Sequence, residues 1–213
     1  MMSADFHDEF LTILRGSLCS SKDGESGDIA FRFLQYIRQA SSHDNNCDAC
    51  VTVCDINKAM LEVGQSRARK QGIVEDSVIK WVEGDAEQLP LPHSTFDAYS
   101  IAFGIRNVTH VDRAVHEAYR VLKPGGRFLC LEFSHVNNQA LQWLYNQYSF
   151  QVIPVMGQLI AGQWKPYQYL VESIQQFPNQ EDFKEIIESA GFRSVTYENL
   201  TFGIVAIHSG FKI

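Results

Sequence analysis

The chain has little positive charge: 18 lysines and arginines stand against 25 aspartates and glutamates, a formal net charge of -7 over 213 residues. That balance leaves no broad basic surface to neutralise phosphates, so no nucleic acid is expected as a partner, and a small or lipidic one is. Long apolar runs are missing too. The longest candidate, Val152 to Ile160, is broken by Pro154 and Gly157, and it falls short of the roughly 18–20 residues that a membrane-spanning helix needs. A soluble or peripheral protein is expected. Cysteine is sparse and odd in number, five in all, which argues against a secreted disulfide framework. Cys47, Cys50 and Cys54 are closely spaced, but no second pair or histidine set at zinc-site spacing accompanies them, so no metal is expected. The first residues carry Asp5, Asp8 and Glu9, whereas a mitochondrial presequence is basic and poor in acids; no targeting signal is visible there. The absence of a G-x-G-x-x-G motif disfavours a nicotinamide-dependent reductase.

What is present is an alternation of short β-rich runs and helical patterns, which predicts a doubly wound α/β domain. Val51 to Ile56 reads as a buried strand with an acid at its end. Asn57 can cap the helix that follows, whose apolar positions Met60, Leu61, Gly64 and Ala68 share one face, with Gly72 as its stop. Val78 to Val82 and Phe96 to Phe103 are the next strands. The Thr109/Asp112 spacing predicts a capping box for a helix bearing Val111, Ala114, Val115, Ala118, Val121 and Leu122, ending at Lys123-Pro-Gly-Gly. Arg127 to Phe133 is a further strand. After an aromatic-rich stretch from Trp143 to Phe177, Asn179 caps a helix with Phe183, Ile186, Ile187 and Ala190 on one face, closed by Gly191. Two final strands, 194–200 and 203–213, are separated only by Thr201 and Phe202; so short a link predicts an antiparallel hairpin. The expected sheet is mostly parallel with an antiparallel strand near its end.

Three places could hold a nucleotide-like ligand. Gly24-Glu-Ser-Gly27 precedes a helix bearing Ala30, Phe33, Leu34 and Ile37, so its backbone could approach a ligand closely at a helix N-terminus; it could equally be an ordinary cap. Asp55, at a strand end, stands where an acid commonly binds ribose hydroxyls, or it is a simple turn acid. Gly84-Asp-Ala follows the next strand, where Asp85 could accept from an exocyclic amine and the Ala86 N–H could donate to an adenine ring. Two acids at consecutive strand ends reinforce each other.

The most specific local feature is Arg120-Val-Leu-Lys-Pro-Gly-Gly-Arg-Phe-Leu-Cys-Leu-Glu-Phe-Ser134, in which proline ends the helix, the glycine pair permits a sharp reversal, and Glu132 and Ser134 end the strand facing the cleft. This stretch resembles the second signature of the ubiquinone/menaquinone biosynthesis C-methyltransferase family. Cys54-Asp-Ile-Asn-Lys, Gly84-Asp-Ala-Glu-Gln-Leu-Pro, Ala102-Phe-Gly-Ile-Arg-Asn-Val-Thr, Phe150-Gln-Val-Ile-Pro and Tyr169-Leu-Val-Glu-Ser-Ile resemble its mitochondrial branch. The resemblance implies a class I S-adenosylmethionine-dependent methyltransferase fold, Rossmann-like, over residues 24–213, preceded by an atypical segment, 1–23. It implies S-adenosyl-L-methionine as cofactor, held by Ser26, Gly27, Asp55, Asp85 and Ala86, and C-methylation of a polyprenyl benzoquinol ring in ubiquinone biosynthesis. A phenolic O–H titrates near pKa 10, so ionising the ring at neutral pH needs a base, a cation or both. Arg106 is the candidate cation and Asn107 could orient a water or the phenol oxygen; by resemblance these two are the family's catalytic positions. An ion pair at the surface is the plainer role for Arg106. The implied setting is the matrix side of the mitochondrial inner membrane, peripherally bound, in a quinone-biosynthesis multi-enzyme complex, with a homodimer as a further arrangement. Trp143, Tyr145, Tyr148, Phe150, Trp164, Tyr167 and Tyr169 could wall a channel for the polyprenyl tail, face a second subunit, or be ordinary core.

The sequence departs from the family at its start. The family's first strand runs straight into a Gly-Gly-Thr-Gly-Asp loop, whereas Ser17-Leu-Cys-Ser-Ser-Lys-Asp23 precedes Gly24 here and Glu25 replaces the second loop glycine. The chain is expected to lack the family's N-terminal part, with the first strand missing or replaced, although Phe10 to Leu14 could pair in that slot. Glu25 would meet the carboxylate of the cofactor, an unfavourable like-charge contact. The alternative function is therefore a catalytically impaired form acting as a structural subunit of a quinone-synthesis complex.

Overall fold

The computed structural model describes residues 10–15, 28–41, 50–73, 78–136, 155 and 164–213. Its elements are β1 (Phe10–Arg15), α1 (Asp28–Ser41), β2 (Cys50–Asp55), α2 (Lys58–Lys70), β3 (Ile79–Glu83), β4 (Phe96–Ala102), α3 (Val111–Val121), β5 (Leu122–Phe133), α4 (Lys165–Gln176), α5 (Gln180–Ser189), β6 (Arg193–Leu200) and β7 (Val205–Phe211). Short 3-10 turns occupy Ile105–Asn107 and Thr201–Gly203.

One seven-stranded sheet organises the chain in the order β3-β2-β1-β4-β5-β7-β6. β2 and β3 are parallel, as are β4 and β5, while β7 is antiparallel to both β5 and β6. The sheet is covered on both faces, as its apolar runs require. On one face Val115 and Ala118 of α3 and Phe183 and Ile187 of α5 pack on Tyr99 and Phe128, whose rings stack with centroids 5.6 Å apart. On the other, Phe31 and Leu34 of α1 and Leu61 and Ala68 of α2 close over Val51 and Val53. Gly64 lies mid-helix in α2 because a Cβ there would fall 2.5 Å from the Trp81 ring.

The expected caps at Asn57 and Asn179 form: Asn57 accepts from the Ala59 N–H, and Asn179 from the N–H groups of Glu181 and Asp182. Two expectations are corrected around α3. Its N-cap is His110, not Thr109, and no side-chain cap forms, because the Glu87 carboxylate takes both the His110 N–H and its ring nitrogen, each at 2.8 Å. The helix stops at Val121, and β5 begins at Leu122, five residues before Arg127. The Lys-Pro-Gly-Gly stretch makes an irregularity inside β5, with Gly125 at φ 83° and the register to β4 shifted between Phe96 and Ala98, and with the Gly125 N–H donating to the Lys212 carbonyl at 2.6 Å and the Lys212 N–H to that of Gly126 at 2.9 Å.

The slot of the expected first strand is filled, but in reverse. β1 lies antiparallel to both of its neighbours, Leu11 opposite Cys54 and Ile101, Arg15 opposite Cys50. β2, β3, β4, β5 and β6 therefore point one way and β1 and β7 the other. The tips of β2 to β5 share one edge of the sheet, and β1 ends at the opposite edge.

Candidate functional site

Two groups of polar side chains gather at the shared edge. The first belongs to β2 and β3. Asp55 ends β2 and is 3% exposed, and its Oδ1 accepts the Asn57 N–H at 2.6 Å, which ties the acid to the start of α2. The Gly84 N–H donates to the Asp55 carbonyl at 3.1 Å, so the turn after β3 is bound to the tip of β2. Gly84 admits no side chain: a Cβ would sit 2.5 Å from Cδ of Pro90 and 3.1 Å from Sγ of Cys54. Within that turn the exposed Asp85 accepts the Glu87 N–H at 2.8 Å and its carbonyl accepts the Gln88 N–H at 3.0 Å, with Ala86 half-buried between them. The two acids act on the same neighbour. Burial first, then the charges of Asp55 and Asp85, push the Cys54 thiol up to about 12.

A clamp from α3 holds this turn in place. Arg120 donates from Nη1 to the Leu91 carbonyl at 2.8 Å and from Nη2 to that of Leu89 at 2.9 Å. Glu117 accepts the Leu89 N–H at 2.8 Å and pairs with Arg120 Nε at 2.6 Å. Burial would raise the Glu117 carboxyl, but its bonds to Arg120 and Leu89 outweigh that and hold it below its ordinary range. Glu87, bound to His110, is likewise held low against its partial burial. None of these four side chains was singled out from sequence, although Glu117 and Arg120 stand at the i,i+3 spacing of a helical ion pair.

The second group belongs to β4 and β5. Immediately after β4, Phe103 takes a left-handed backbone conformation (φ 55°), an arrangement costing an L residue of this size about 1–2 kcal/mol. Its carbonyl is thereby turned onto the Arg106 guanidinium, which donates to it from Nη1. The same Nη1 lies 2.8 Å from Oε1 of Glu132, with the two side chains 10% and 2% exposed, and the guanidinium carbon sits 5.4 Å from the centre of the Phe133 ring. Arg106 is therefore ion-paired, but in the interior and not at the surface. Burial pushes the Glu132 carboxyl above its usual range, against the opposing pull of Arg106 and of the Phe133 and Arg106 N–H groups. Glu132 and Ser134, expected to end the strand facing the cleft, are both buried, and the Ser134 hydroxyl has no partner among the described residues. Asn107 is half-buried and accepts from the Tyr169 hydroxyl of α4 at 3.2 Å, so the end of the aromatic-rich stretch reaches this group. Beyond the tip of β5, a cavity of about 680 Å³ opens among His135, Val136, Gln176, Phe177 and Asn179.

The two groups are separated only by β1, so their strands are about 10 Å apart at the usual strand spacing. Of the residues expected to act, Asp55, Asp85 and Ala86 come together in the first group and Arg106 and Asn107 in the second. Ser26 and Gly27 lie outside the described residues, as do Cys47, Trp143, Tyr145, Tyr148 and Phe150. Trp164 and Tyr169 are 42% and 40% exposed, more than ordinary core would be. The first group suits the nucleoside of S-adenosylmethionine: a fixed acid, a backbone turn with no room for a side chain, and a second acid beside it.

A family model described as the ubiE/COQ5 methyltransferase family matches residues 5–212. The chain is 59% identical to the Drosophila melanogaster protein named 2-methoxy-6-polyprenyl-1,4-benzoquinol methylase, mitochondrial, over 89% of this chain and 64% of that one. It is 58% identical to the Bos taurus protein of the same name, with the same two coverages. The chain thus spans a little under two thirds of the length of these relatives. Among solved structures, the fold is similar to a SAM-dependent methyltransferase from Thermotoga maritima (TM-score 0.52, 21% identity, 75% of this chain and 72% of that one). It is also similar to phosphoethanolamine N-methyltransferase 2 of Haemonchus contortus in complex with S-adenosyl-L-methionine (TM-score 0.55, 17% identity, 82% and 45%). These likenesses establish the class I methyltransferase fold.

Proposed function

Because the chain belongs to the ubiE/COQ5 methyltransferase family, we propose that it catalyses S-adenosylmethionine-dependent C-methylation of a polyprenyl benzoquinol ring, a step of ubiquinone biosynthesis. The observation that carries this reading is the pairing of two unlike groups on one sheet edge: acids that suit a nucleoside at β2 and β3, and a cation that suits an ionised phenol at β4. S-adenosylmethionine supplies an electrophilic methyl group when bound. Asp55 would accept from its ribose hydroxyls, Asp85 from its exocyclic amine, and the Ala86 N–H would donate to its ring, with Ser26 and Gly27 at its amino-acid end. Arg106 would stabilise the phenolate that makes the ring carbon nucleophilic, and Asn107, held by Tyr169, would orient the phenol oxygen or a water against it.

The methyltransferase domain expected over residues 24–213 is completed by β1 (Phe10–Arg15), which lies between β2 and β4 in the same sheet. The names of the relatives support a mitochondrial setting; the matrix side of the inner membrane, peripheral attachment, a quinone-biosynthesis complex and a homodimer are part of the same proposal. Among the described residues no helix is long and apolar enough to cross a membrane. The reversed β1, which ends at the edge away from Asp55, favours a second reading, a structural subunit with an impaired cofactor loop. The two separate in a methyl-transfer assay with a short-chain methoxybenzoquinol analogue. The enzyme gives ring-methylated product that rises with cofactor concentration, whereas absence of turnover at every concentration leaves only the subunit.

A further inference from the structure

Arg106 is held on more sides than a simple ion pair needs. Its Nη1 donates to both Glu132 and the Phe103 carbonyl, its own backbone N–H reaches Oε2 of Glu132 at 3.4 Å, and its guanidinium packs on Phe133. Glu132 is itself fixed, its Oε1 also accepting the Phe133 N–H at 2.8 Å. One part of the guanidinium is left over. Nε is buried and has no acceptor among the described residues, and a buried donor without an acceptor is rare and costly in a folded chain. With Nη1 committed, the remaining adjacent donors of the planar fork are Nε and Nη2, an edge shaped to take an anionic oxygen. Two residues after Glu132, just past the end of β5, the Ser134 hydroxyl is also buried and unpartnered among the described residues. Glu132 does not turn to it; both carboxylate oxygens are spent on Arg106 and the backbone.

We propose that Glu132 is the positioning residue of Arg106, holding it by one nitrogen so that the Nε–Nη2 edge is offered to a phenol or phenolate oxygen of the acceptor ring. The inference rests on the methyl-transfer reading above and names how that site orients its cation. Glu132 touches neither cofactor nor ring; it acts through Arg106.

The test is a double-mutant cycle of Glu132→Ala and Arg106→Ala, with Glu132→Gln beside it. It is read as kcat, KM for cofactor and quinol, and the pH profile of kcat. Glu132→Ala should lower kcat at least tenfold with little change in cofactor KM, and should cost nothing further once Arg106 is alanine. Glu132→Gln, whose amide oxygen still accepts from Nη1, should recover most of kcat. It should also move the acid limb of the profile to lower pH, since a neutral amide leaves the Arg106 charge uncompensated beside the ionising ring. Additive losses, a glutamine no better than alanine, or an unmoved limb would overturn the proposal. A second readout needs no turnover: in protein labelled with ¹⁵N-arginine, the Arg106 Nε–H resonance, identified by its loss in Arg106→Lys, should shift on adding a short-chain methoxyphenol. That shift should persist in Glu132→Gln and be reduced in Glu132→Ala; its loss in Glu132→Gln or its full retention in Glu132→Ala would overturn the proposal. A wild-type chain that shifts this resonance but transfers no methyl keeps the positioning and loses the activity; one that transfers methyl with no shift does the reverse.

Discussion

The tips of β2 and β3 and the tips of β4 and β5 share one edge of one sheet, yet their charges are held in opposite ways. Asp55 and Asp85 are fixed by backbone N–H groups, and Asp85 is exposed. Arg106 and Glu132 are fixed by each other, deep in the interior. Fixed acceptors beside a tight backbone turn grip a ligand rich in hydroxyl and amine donors without needing a counter-charge. A buried cation and anion cancel, and what they offer is a donor edge in a low-dielectric corner, where a hydrogen bond to developing charge is strongest. On the proposed reading, this difference gives recognition to one pair of tips and activation to the other.

The largest effect that could break this contrast is on stability. Arg106→Leu leaves Glu132 buried without its partner, and removing one member of a buried pair costs about 3–5 kcal/mol. Replacing both, Arg106→Leu with Glu132→Leu, should restore most of that, because the desolvation penalty of both ions goes with them. Asp55→Asn should cost far less, since the amide oxygen still accepts the Asn57 N–H. Urea midpoints of the four proteins decide it: an Arg106→Leu chain as stable as Asp55→Asn would mean that the two tips are built alike.

Cofactor affinity should divide in the other direction, with a smaller effect. A hydrogen bond to a charged group contributes about 1.5–3 kcal/mol, so calorimetric titration of Asp55→Asn should show S-adenosylmethionine affinity reduced about tenfold to a hundredfold. Asp85→Asn, in an exposed turn, should lose less. Arg106→Lys should leave the affinity within about twofold, as the activation tips do not bear on the nucleoside. An equal loss in all three would erase the division.

How much of this was legible from sequence follows the range of each interaction. Acids at strand ends, the Asn57 and Asn179 caps, and the Gly72 and Gly191 stops (φ 74° and 109°) are local, and the structure shows each where the spacing put it. The C-terminal hairpin followed from a link too short for a crossover. The direction of β1 was not legible: period-two patterning fixes faces, not polarity, and Phe10 to Leu14 carries no turn signal that sets it. The burial of Glu132 could be read from its alternation with Phe128 and Cys130, but its partner lies 26 residues away. The Glu117–Arg120 pair is a helix-spacing signal; that it grips carbonyls some 30 residues upstream is a tertiary fact. The cap at Thr109 failed for the same reason, since Glu87 reached His110 from another turn.

Each pair of tips also carries a buried thiol that senses it, and these give the smallest and most local test. Cys54, beside Asp55, is pushed up to about 12 by burial and then by Asp55 and Asp85; Cys130, two residues before Glu132, is raised well above its ordinary value by burial and then by Glu132. The sign of the consequence is set by proton counts. Below the ordinary thiol range both states hold the proton and the contribution is fully present. As pH rises past about 8.5 the unfolded chain releases it while the folded chain does not, so stability falls by at most about 1.4 kcal/mol per pH unit for each thiol. Urea unfolding at pH 8 and pH 10 should therefore show a steeper alkaline loss in the wild type than in Cys54→Ala. Because burial is the larger cause, Asp85→Asn should leave the slope between pH 8 and pH 10 nearly as it was, and Cys130→Ala should remove the part that Cys130 carries. A Cys54→Ala chain with the wild-type slope would mean that the thiol is not held protonated in the folded chain, and that the tip of β2 is less closely packed than its burial implies.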